Sequence, residues 1–480
     1  MRRVLRTGDG GVALVAAVAV VMLVTLLTGT LLAYALAETR QSGRDRQRSS
    51  AVMSAEGGVD MMLAQMQGSS LATLPCSAAT SSSQSAPDTT GIATTVTYYD
   101  AAGVVLTCPL AAGAAVAQAL VKSTATTNSL AGQAPAARAI ESLVQVTPGS
   151  ALSKAIFGNA GVETNGNLDV NGSAPGRIDA NVFSNDHITC GTGSYQGSLI
   201  VQGTITLGAC NVAGNAWATA GVTASSTSIG GVLVSAGNAA LADSTSVTNT
   251  VRTSGTIKDT GGGSWAGCLT VSKCAPGSVV EPPPTEAFPQ LPYNTAPWVA
   301  AGYNPTIVEK STCSSGFADQ AADWILANSA TLTSPTILHT TCPNGIYFKN
   351  SGSITLSNNL VIFSSGGVSF KNDATFVSNN TTMRYLYLIQ PYGSVTMPCT
   401  VDGIDMKNNL DVAPTVSTLF YTPCNISNKN NATFYGQMYA GGVVRAVQNL
   451  TVTYAPVPVY GVQNVVPTYN LDILFKRETT

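Results

Sequence analysis

The first part of the chain carries an unbroken apolar segment. No charged residue occurs from Gly10 to Ala37, and residues 12–36 are almost wholly apolar. At ~1.5 Å per residue these residues form a helix of about 37 Å, enough to cross a hydrocarbon core of about 30 Å. The apolar region of a secretory signal holds only about 7–15 residues. The pattern therefore predicts a membrane-spanning helix.

A helical pattern with one apolar face continues after this segment. Residues 38–67 contain no proline, and apolar side chains recur there at helical spacing: Ala51, Ala55, Val59, Met62 and Met66. The three glycines of this stretch weaken a helix by only about 1 kcal/mol each. We expect one continuous helix over residues 12–67, apolar all round in its first half and amphipathic in its second.

Alternation and turn residues predict β structure after the helix. Residues 68–91 are rich in Ser, Thr and Ala, which is typical of a linker. Residues 92–108 alternate on both sides of a turn at 100–103 and predict a hairpin, and residues 137–148 predict a further strand. We expect a small β-rich segment over residues 92–156.

A 17-residue repeat follows. Ile188, Ile205, Val222, Ala239 and Ile257 are separated by 17, 17, 17 and 18 residues. Small or turn residues keep the same step: Ala180, Gly197, Gly214, Gly231 and Asn249. One such unit cannot bury its apolar row alone, but stacked units form a continuous core. The repeat predicts a parallel β-solenoid over residues 157–267. Its pattern resembles the bactofilin-type, polymer-forming β-helix over about residues 160–260, which implies a fold and no cytoskeletal function.

A connector and a second repeat set complete the chain. Residues 268–336 are rich in Cys and Pro and mark a boundary, with a helical pattern at 318–332. The stretch YFKNSGSITLSNN at 347–359 is then echoed by SFKNDATFVSNN at 369–380. Paired asparagines, which suit solenoid corners, recur at 358–359, 379–380, 408–409 and 430–431. We expect a second β-helix-like region over residues 337–480. Whether the two regions form one solenoid stays open.

Composition agrees with a mainly β fold that follows a long N-terminal transmembrane helix. The chain is 45% hydrophobic and only 10% charged, against about 25% in average domains. Its net charge of −2 provides no basic face, so we expect no nucleic acid as a partner.

The ten cysteines favour disulfides over a metal site. None forms a CxxC motif, and the chain has only two histidines, His187 and His339, so no metal or cofactor is predicted. In sequence order the cysteines fall into five closely spaced pairs, as in exported proteins. Reduced, buried thiols are the alternative. The pairs are Cys76 with Cys108, Cys190 with Cys210, Cys268 with Cys274, Cys313 with Cys342, and Cys399 with Cys424.

The N-terminal pattern resembles a known family. An Arg-containing leader, a glycine, the segment GVALVAAVAVVMLVTLL and the continuation ETRQSGRDRQRSSAVMSAEGGV together resemble the N-terminal domain of PilX-type pilus-assembly proteins, within the wider group of type IV pilins and pseudopilins. The resemblance covers about the first 65 residues. In that family an Ala-Glu-x-Gly pattern ends the stem, and it is matched by Ala55, Glu56 and Gly58.

The resemblance implies processing and assembly. A prepilin peptidase would remove a leader of residues 1–11 by cutting after Gly11, so that Val12 begins the mature chain; Gly10 is the alternative. The fifth mature residue of such proteins is usually a Glu that neutralises the N-terminal amine of a neighbouring subunit. This chain has Ala16 there, and an unpaired buried ammonium costs several kcal/mol. We therefore expect a minor, priming or tip-like subunit.

An ordinary signal-anchor helix is the alternative interpretation of the stem. An arginine cluster follows the apolar segment and complicates the topology, because positive charge prefers the cytoplasmic side. It consists of Arg40, Arg44, Arg46 and Arg48. Since everything downstream is typical of an exported protein, we expect a single-pass protein with a cytoplasmic N-terminus and an extracellular bulk. Incorporation into a pilus would follow from the pilin resemblance.

No residue pattern predicts catalysis. A glycosidase needs two carboxylates across a cleft. The candidates are Asp402 with Asp405, Asp169 with Asp179, and Asp186 beside His187. None lies in a recognised signature, and an Asp in a Gly/Asn-rich turn is usually a turn residue.

We therefore expect a structural, minor pilin-like or pseudopilin-like protein of a type IV pilus or related secretion machinery, and no enzyme. A membrane-anchored carbohydrate-binding or carbohydrate-active β-helix protein is the alternative. The expected partners are the membrane, a prepilin peptidase, other pilin-like subunits and a surface polysaccharide.

Overall fold

The structure is a computed structural model, and it forms two compact units. One comprises Met1–Gly149 and Val466–Thr480, and the other comprises Ser150–Val465. The described residues are 10–67, 74–80, 89–100, 103–110, 116–127, 135–148, 152–269, 273–349, 352–394, 399, 401–463 and 469–479. The predicted leader lies almost wholly outside them, as do residues 68–73 and 81–88 of the predicted linker.

The first unit is built on one long helix. Helix α1 runs without interruption over Gly10–Gln67, as the sequence predicts. The apolar residues of its second half pack on an antiparallel sheet: Ala55, Val59 and Met62 are fully buried in one cluster with Val121 and Val144. The strands of that sheet are Ser77–Thr80, Thr89–Tyr99, Val105–Leu106, Gln118–Thr127, Ala137–Pro148 and Tyr469–Thr479.

The last strand corrects the predicted boundary of the second repeat region. Tyr469–Thr479 pairs antiparallel with Ala137–Pro148 in the first unit, so the prediction that the β-helix region extends to residue 480 is wrong. The strand forms the edge of that sheet and pairs along almost its whole length, with one register shift between Ile473 and Phe475. Strand Ser77–Thr80 lies inside the predicted linker, next to the disulfide of Cys76.

The second unit is a parallel β-solenoid. Each turn of the chain, here a coil, places one strand on each of three faces, which we call A, B and C in chain order. Coils are numbered along the stack. Coils 1–3 comprise Thr336–Thr340, Ile346–Phe348 and Gly352–Leu356; Leu360–Ser364, Val368–Phe370 and Ala374–Ser378; and Arg384–Ile389, Asp402–Met406 and Leu410–Val412. Coil 4 begins with Val416–Thr422 on face A and Asn425–Asn428 on face B. The strand Ala432–Ala440 then passes from face C of coil 4 to face A of coil 5. Coil 5 continues with Val443–Ala446 on face B and Leu450–Tyr454 on face C.

The 17-residue repeat forms the other part of the stack. In coils 6–8 one long strand bends from face B to face C: Ile156–Gly158 and Gly161–Asn171; Val182–Ser184 and His187–Tyr195; Leu199–Val201 and Thr204–Val212. Coils 9–11 comprise Ala216–Ala218, Gly221–Ala224 and Ser228–Ile229; Leu233–Ser235, Asn238–Leu241 and Ser246–Val247; and Val251–Thr253 and Ile257–Asp259. Two further short strands extend face A at the two ends: Val308–Glu309 beside coil 1 and Cys274–Ala275 beside coil 11.

The two repeat sets join in one ladder, at an unexpected place. The last coil of the second set pairs with the first coil of the first set on all three faces, as in Met438 with Ile156 and Val443 with Gly161. The chain therefore enters the stack in its middle at coil 6 and winds outward to coil 11. It then returns from coil 1 to coil 5 beside its own starting point.

The repeat positions occupy equivalent places in the ladder. Ile188, Ile205, Val222, Ala239 and Ile257 are direct neighbours on face B. The 22-residue step likewise aligns Tyr347 with Ser369. The paired asparagines occupy two different corners: 358–359 and 379–380 follow face C, whereas 408–409 and 430–431 lie between faces B and C. At the second corner Asn449 Nδ2 donates to Asn431 Oδ1 at 3.0 Å.

The proline-rich connector runs the length of face A, and we call residues 278–310 the strap. Side chains of coils 9 and 7 donate to its carbonyl oxygens: Trp217 Nε1 to Glu281 O at 3.0 Å, and Asn185 Nδ2 to Glu286 O at 2.7 Å. Further along, Trp298 is fully buried against Phe363 and Tyr387. Proline suits this extended course because it has no N–H that would need a partner. The strap carries the chain from coil 11 to the other end of the stack.

The remaining elements among the described residues are two short α-helices, two 3-10 helices and five disulfides. Helix α2 spans Ala296–Ala300, and helix α3 spans Asp319–Asn328 within the predicted helical stretch. Short 3-10 helices span Ala266–Leu269 and Ser329–Thr331. All five disulfides follow the predicted sequential pairing: Cys76–Cys108, Cys190–Cys210, Cys268–Cys274, Cys313–Cys342 and Cys399–Cys424.

Candidate functional site

The first half of helix α1 is the first candidate site. By length and composition it can span a membrane, and none of its most apolar stretch is buried. Leu14 and Leu31, for example, are 68% and 66% exposed. The threonine hydroxyls of this half bond to the helix's own carbonyls, as Thr28 Oγ1 does to Val24 O at 2.7 Å. Polar atoms satisfied in this way tolerate an apolar surrounding.

The residues predicted for processing and assembly lie at the start of this helix. Gly10, Gly11 and Val12 form its first turn, and Ala16 follows one turn later with an exposed side chain. The exposed side chains around Ala16 are apolar, including Leu14 and Val18. A carboxylate is therefore absent from this part of the described helix surface.

The Ala-Glu-x-Gly residues lie where the helix meets its sheet. Ala55 is fully buried, and Gly58 lies so close to the sheet that an added Cβ would meet Ser123 Oγ, and Ile92 Cγ2 at 2.7 Å. Glu56 faces outward, where its Oε1 lies 2.7 Å from Nζ of Lys476 on the last strand. The motif thus ties the stem to its sheet by close packing and by an ion pair.

Lys476 is held by two acidic residues of the helix. Its Nζ also lies 3.3 Å from Asp60 Oδ1. Partial burial acts to lower the pKa of Lys476, but the hydrogen bonds that its ammonium donates to Glu56 and Asp60 outweigh burial and raise the pKa above its usual value. The ammonium therefore stays charged and attached to the helix across the physiological pH range.

A groove of about 250 Å³ on face B of coils 1–3 is the second candidate site. One wall carries Phe317 and Tyr347, whose ring centroids lie 4.9 Å apart, and the opposite wall carries Asp402, Asp405 and Lys407. The other lining residues are Asn344, Gly366, Val368, Ser369 and Val401.

The structure brings together one carboxylate pair that was weighed for catalysis. Asp402 and Asp405 both accept hydrogen bonds from Lys429 Nζ, at 3.1 and 3.0 Å. Burial opposes protonation of Lys429, but these carboxylates outweigh burial and raise the pKa of its ammonium. The two carboxylates therefore share one ammonium partner.

The other carboxylate candidates lie apart from the groove. Asp169 accepts from Ser194 Oγ at 2.7 Å on face C, and Asp179 accepts from the backbone N–H of Ser173 at 2.9 Å in a turn. Asp186 Oδ2 lies 3.0 Å from Nδ1 of His187, whose Nε2 lies 3.2 Å from Glu163 Oε1. These contacts are those of structural and turn residues.

Sequence reasoning missed two features of these sites. The ring pair of Phe317 and Tyr347 joins a loop of the connector to a solenoid strand, which no spacing could indicate. The second is a column of lysines at the corner after face B, which the repeated Lys-Asn dipeptide could have revealed: Lys349, Lys371, Lys407 and Lys429.

The fold and the stem together define a β-solenoid protein with a candidate N-terminal membrane anchor. No protein-family model matches the sequence, and no curated protein matches it. Among solved structures, the chain is similar to the competence-associated pilin ComZ from Thermus thermophilus, with 12% identity, 90% of this chain and 97% of that chain covered, and a TM-score of 0.30. It is also similar to an ice binding protein from an Antarctic bacterium of the Flavobacteriaceae, with 10% identity, 65% and 99% of the two chains covered, and a TM-score of 0.13. TM-scores this low carry no argument about function.

Proposed function

We propose that the protein is a minor pilin-like or pseudopilin-like structural subunit of a type IV pilus or a related secretion machinery. Helix α1 inserts in the membrane with its N-terminus in the cytoplasm, and the solenoid is displayed outside the cell. The observation that carries the proposal is the division of α1: the first half is apolar and its described side chains are exposed, whereas the second half is docked on its own sheet. The first half of such a stem can be surrounded by lipid in the membrane and by the stems of other subunits in a filament, and the second half stays docked on its sheet in both cases.

The missing acid defines the role within the assembly. A stem packed below another subunit must neutralise the amine of that neighbour, and Ala16 cannot do so. A subunit at the tip meets no such amine. The proposal therefore places the protein at the tip or in a priming complex, with a prepilin peptidase and other pilin-like subunits as its partners and with no catalytic activity.

The mature N-terminus tests the pilin assignment. We expect intact-mass and N-terminal peptide measurements on the membrane-extracted protein to give a chain that begins at Val12, or at Gly11, with a modified amine. An unprocessed Met1 would contradict the assignment and leave a simple signal anchor.

Ala16→Glu tests the role, with Ala17→Glu as the matched control. We expect Ala16→Glu to spread the protein along filaments, as seen by immunogold labelling, because a carboxylate at this position can pair with the amine of the neighbour. Ala17→Glu adds the same charge on another side of the helix, so it should lower membrane insertion and leave any remaining label at the tip. Equal distributions of Ala16→Glu and the unmodified protein would refute the tip role.

A further inference from the structure

The groove on face B is a notch, by which we mean a depression that forms where one coil carries smaller outward side chains than the coils on either side. Along the outward column Tyr347, Ser369 and Asp405 are direct neighbours in coils 1, 2 and 3. Parallel strands lie about 4.8 Å apart, so Tyr347 and Asp405 stand about 9.6 Å apart with the short Ser369 between them. Asn344, Gly366 and Asp402, each two residues before the paired positions Ile346, Val368 and Ile404, also line the groove and have their smallest residue in coil 2. Coil 2 is therefore the floor, and coils 1 and 3 are the walls.

Disulfides hold both walls. Cys313–Cys342 ties the loop that carries Phe317 to coil 1, where Asn344 Nδ2 also donates to Ser315 O at 3.0 Å. Cys399–Cys424 ties the segment before Val401 to coil 4. A site whose walls are fixed in advance loses little conformational freedom when a ligand binds.

The charges of the groove largely cancel. Lys407 Nζ lies 3.2 Å from Asp405 Oδ2, and Lys429 pairs with both Asp402 and Asp405. In the column of lysines at the corner after face B, Lys349 pairs with Asp319 at 2.7 Å, and Lys371 Nζ lies 5.8 Å from the centroid of the Tyr347 ring. An anion entering the groove would face two carboxylates, and a cation would face lysines. The wall instead offers hydrogen-bond donors and acceptors side by side.

This combination matches a sugar. We propose that the groove binds one pyranose ring of a neutral polysaccharide. The C–H groups of the ring would pack on the wall of Phe317 and Tyr347, and its hydroxyls, which both donate and accept, would bond to the opposite wall. The hydroxyl of Ser369 is buried beneath the floor and has no hydrogen-bond partner among the described residues, so the floor contributes space for the ring and no hydrogen bond.

The test is a titration of the full chain in a detergent without a sugar headgroup. The neutral probes are cellohexaose, maltohexaose, mannohexaose, xylohexaose and chitohexaose, and the anionic probe is hexagalacturonate. We expect saturable binding of at least one neutral probe, measured by calorimetry, and weaker or no binding of hexagalacturonate. If no neutral probe binds, or if only hexagalacturonate binds, the proposal is overturned.

Ser369→Trp locates the binding site, with Thr206→Trp as its control. Thr206 is exposed and lies in coil 8, in the same outward column as Asp405. The residues paired in succession between Asp405 and Thr206 are Ser427, Arg445, Glu163 and Thr189. Ser369→Trp fills the notch and should weaken binding at least tenfold, whereas Thr206→Trp should leave it unchanged. Ser369→Ala keeps the notch open and should leave binding within about twofold, because the hydroxyl that it removes is buried. Unchanged affinity in Ser369→Trp, or equal loss in Thr206→Trp, would overturn the assignment. The outcome is independent of the stem.

Discussion

Arg445 Nε donates to Glu163 Oε2 at 2.8 Å across the boundary between coils 5 and 6. This is the boundary where the returning part of the chain meets the coil from which the solenoid started. The two residues are direct neighbours in the face B ladder, and His187 of coil 7 contacts the other oxygen of Glu163. The ion pair therefore bridges two segments that are far apart in sequence.

We predict that Arg445→Gln loosens this boundary. The pair is partly exposed, so its loss should cost about 0.5–1 kcal/mol, and less at high salt. Hydrogen exchange measured by mass spectrometry should show faster opening of Val443–Ala446 and Gly161–Asn171. Arg177→Gln is the control, because Arg177 is exposed and forms no ion pair among the described residues. Equal effects of the two substitutions would show that the pair does not hold the boundary.

Glu163 also makes the boundary sensitive to acid. Partial burial acts to raise its pKa, but Arg445 and His187 outweigh burial and lower the pKa below 4.5. A carboxyl whose pKa is lower in the folded state contributes stability above its unfolded pKa, and that stability is lost as the pH falls through the folded pKa.

The corresponding experiment compares the protein with Glu163→Gln between pH 3 and pH 7. Near neutral pH we expect the boundary amides of the unmodified protein to exchange more slowly than those of Glu163→Gln. This difference in exchange rate should shrink below about pH 4.5. A difference that stays constant over this range would show that the ionisation of Glu163 does not contribute.

Two adjacent glycines in helix α1 should respond in opposite directions to the same substitution. A Cβ at Gly57 meets nothing within 4 Å, whereas at Gly58 it meets Ser123, and Ile92 at 2.7 Å. Gly57→Ala should stabilise the first unit by about 0.5–1 kcal/mol through helix propensity. Gly58→Ala gains the same propensity but must push the helix from the sheet, at a cost of about 1–3 kcal/mol. Unfolding of the two variants in detergent compares them, and an equal gain in both would refute the close packing.

Periodicity revealed which residues stack, because equal spacing in a solenoid places equivalent residues on one face. Ile188 and Ile205 could be aligned from the sequence, as could Tyr347 and Ser369. The alignment of Asp405 with Ser369 could not be predicted from the sequence, because more residues connect the face A and face B strands in coil 3 than in coil 2. The spacing of repeats also does not reveal the direction in which a second set stacks. The return along face A depends on contacts of the strap that involve no repeat.

The stem was predictable in its extent but not in its docking. The apolar segment and the spacing of Ala55, Val59 and Met62 predicted both the helix and its buried side. The partner of Glu56 lies more than 400 residues away at Lys476, on a strand that the repeat pattern had wrongly assigned to the solenoid. Local patterns carry no information about such long-range antiparallel pairing.

Tyr421 should prove to be an attachment point of the strap. Its side chain is fully buried, and its hydroxyl donates to Pro289 O at 2.8 Å and accepts from the Leu291 N–H at 2.9 Å. Tyr421→Phe leaves both backbone groups buried without these bonds, which should cost about 1–3 kcal/mol. Hydrogen exchange of the Leu291 amide should accelerate accordingly.

Tyr195→Phe is the matched control, because the same oxygen is removed from an equally buried site. Tyr195 is 1% exposed, and its hydroxyl has no hydrogen-bond partner among the described residues. Its removal should therefore leave the free energy of unfolding unchanged or raise it slightly, since a buried unpaired hydroxyl is itself unfavourable. The comparison uses denaturant unfolding of the two variants beside the unmodified protein. If Tyr421→Phe proves no more destabilising than Tyr195→Phe, the strap is held by the packing of Trp298 and Leu291 and not by the hydroxyl of Tyr421.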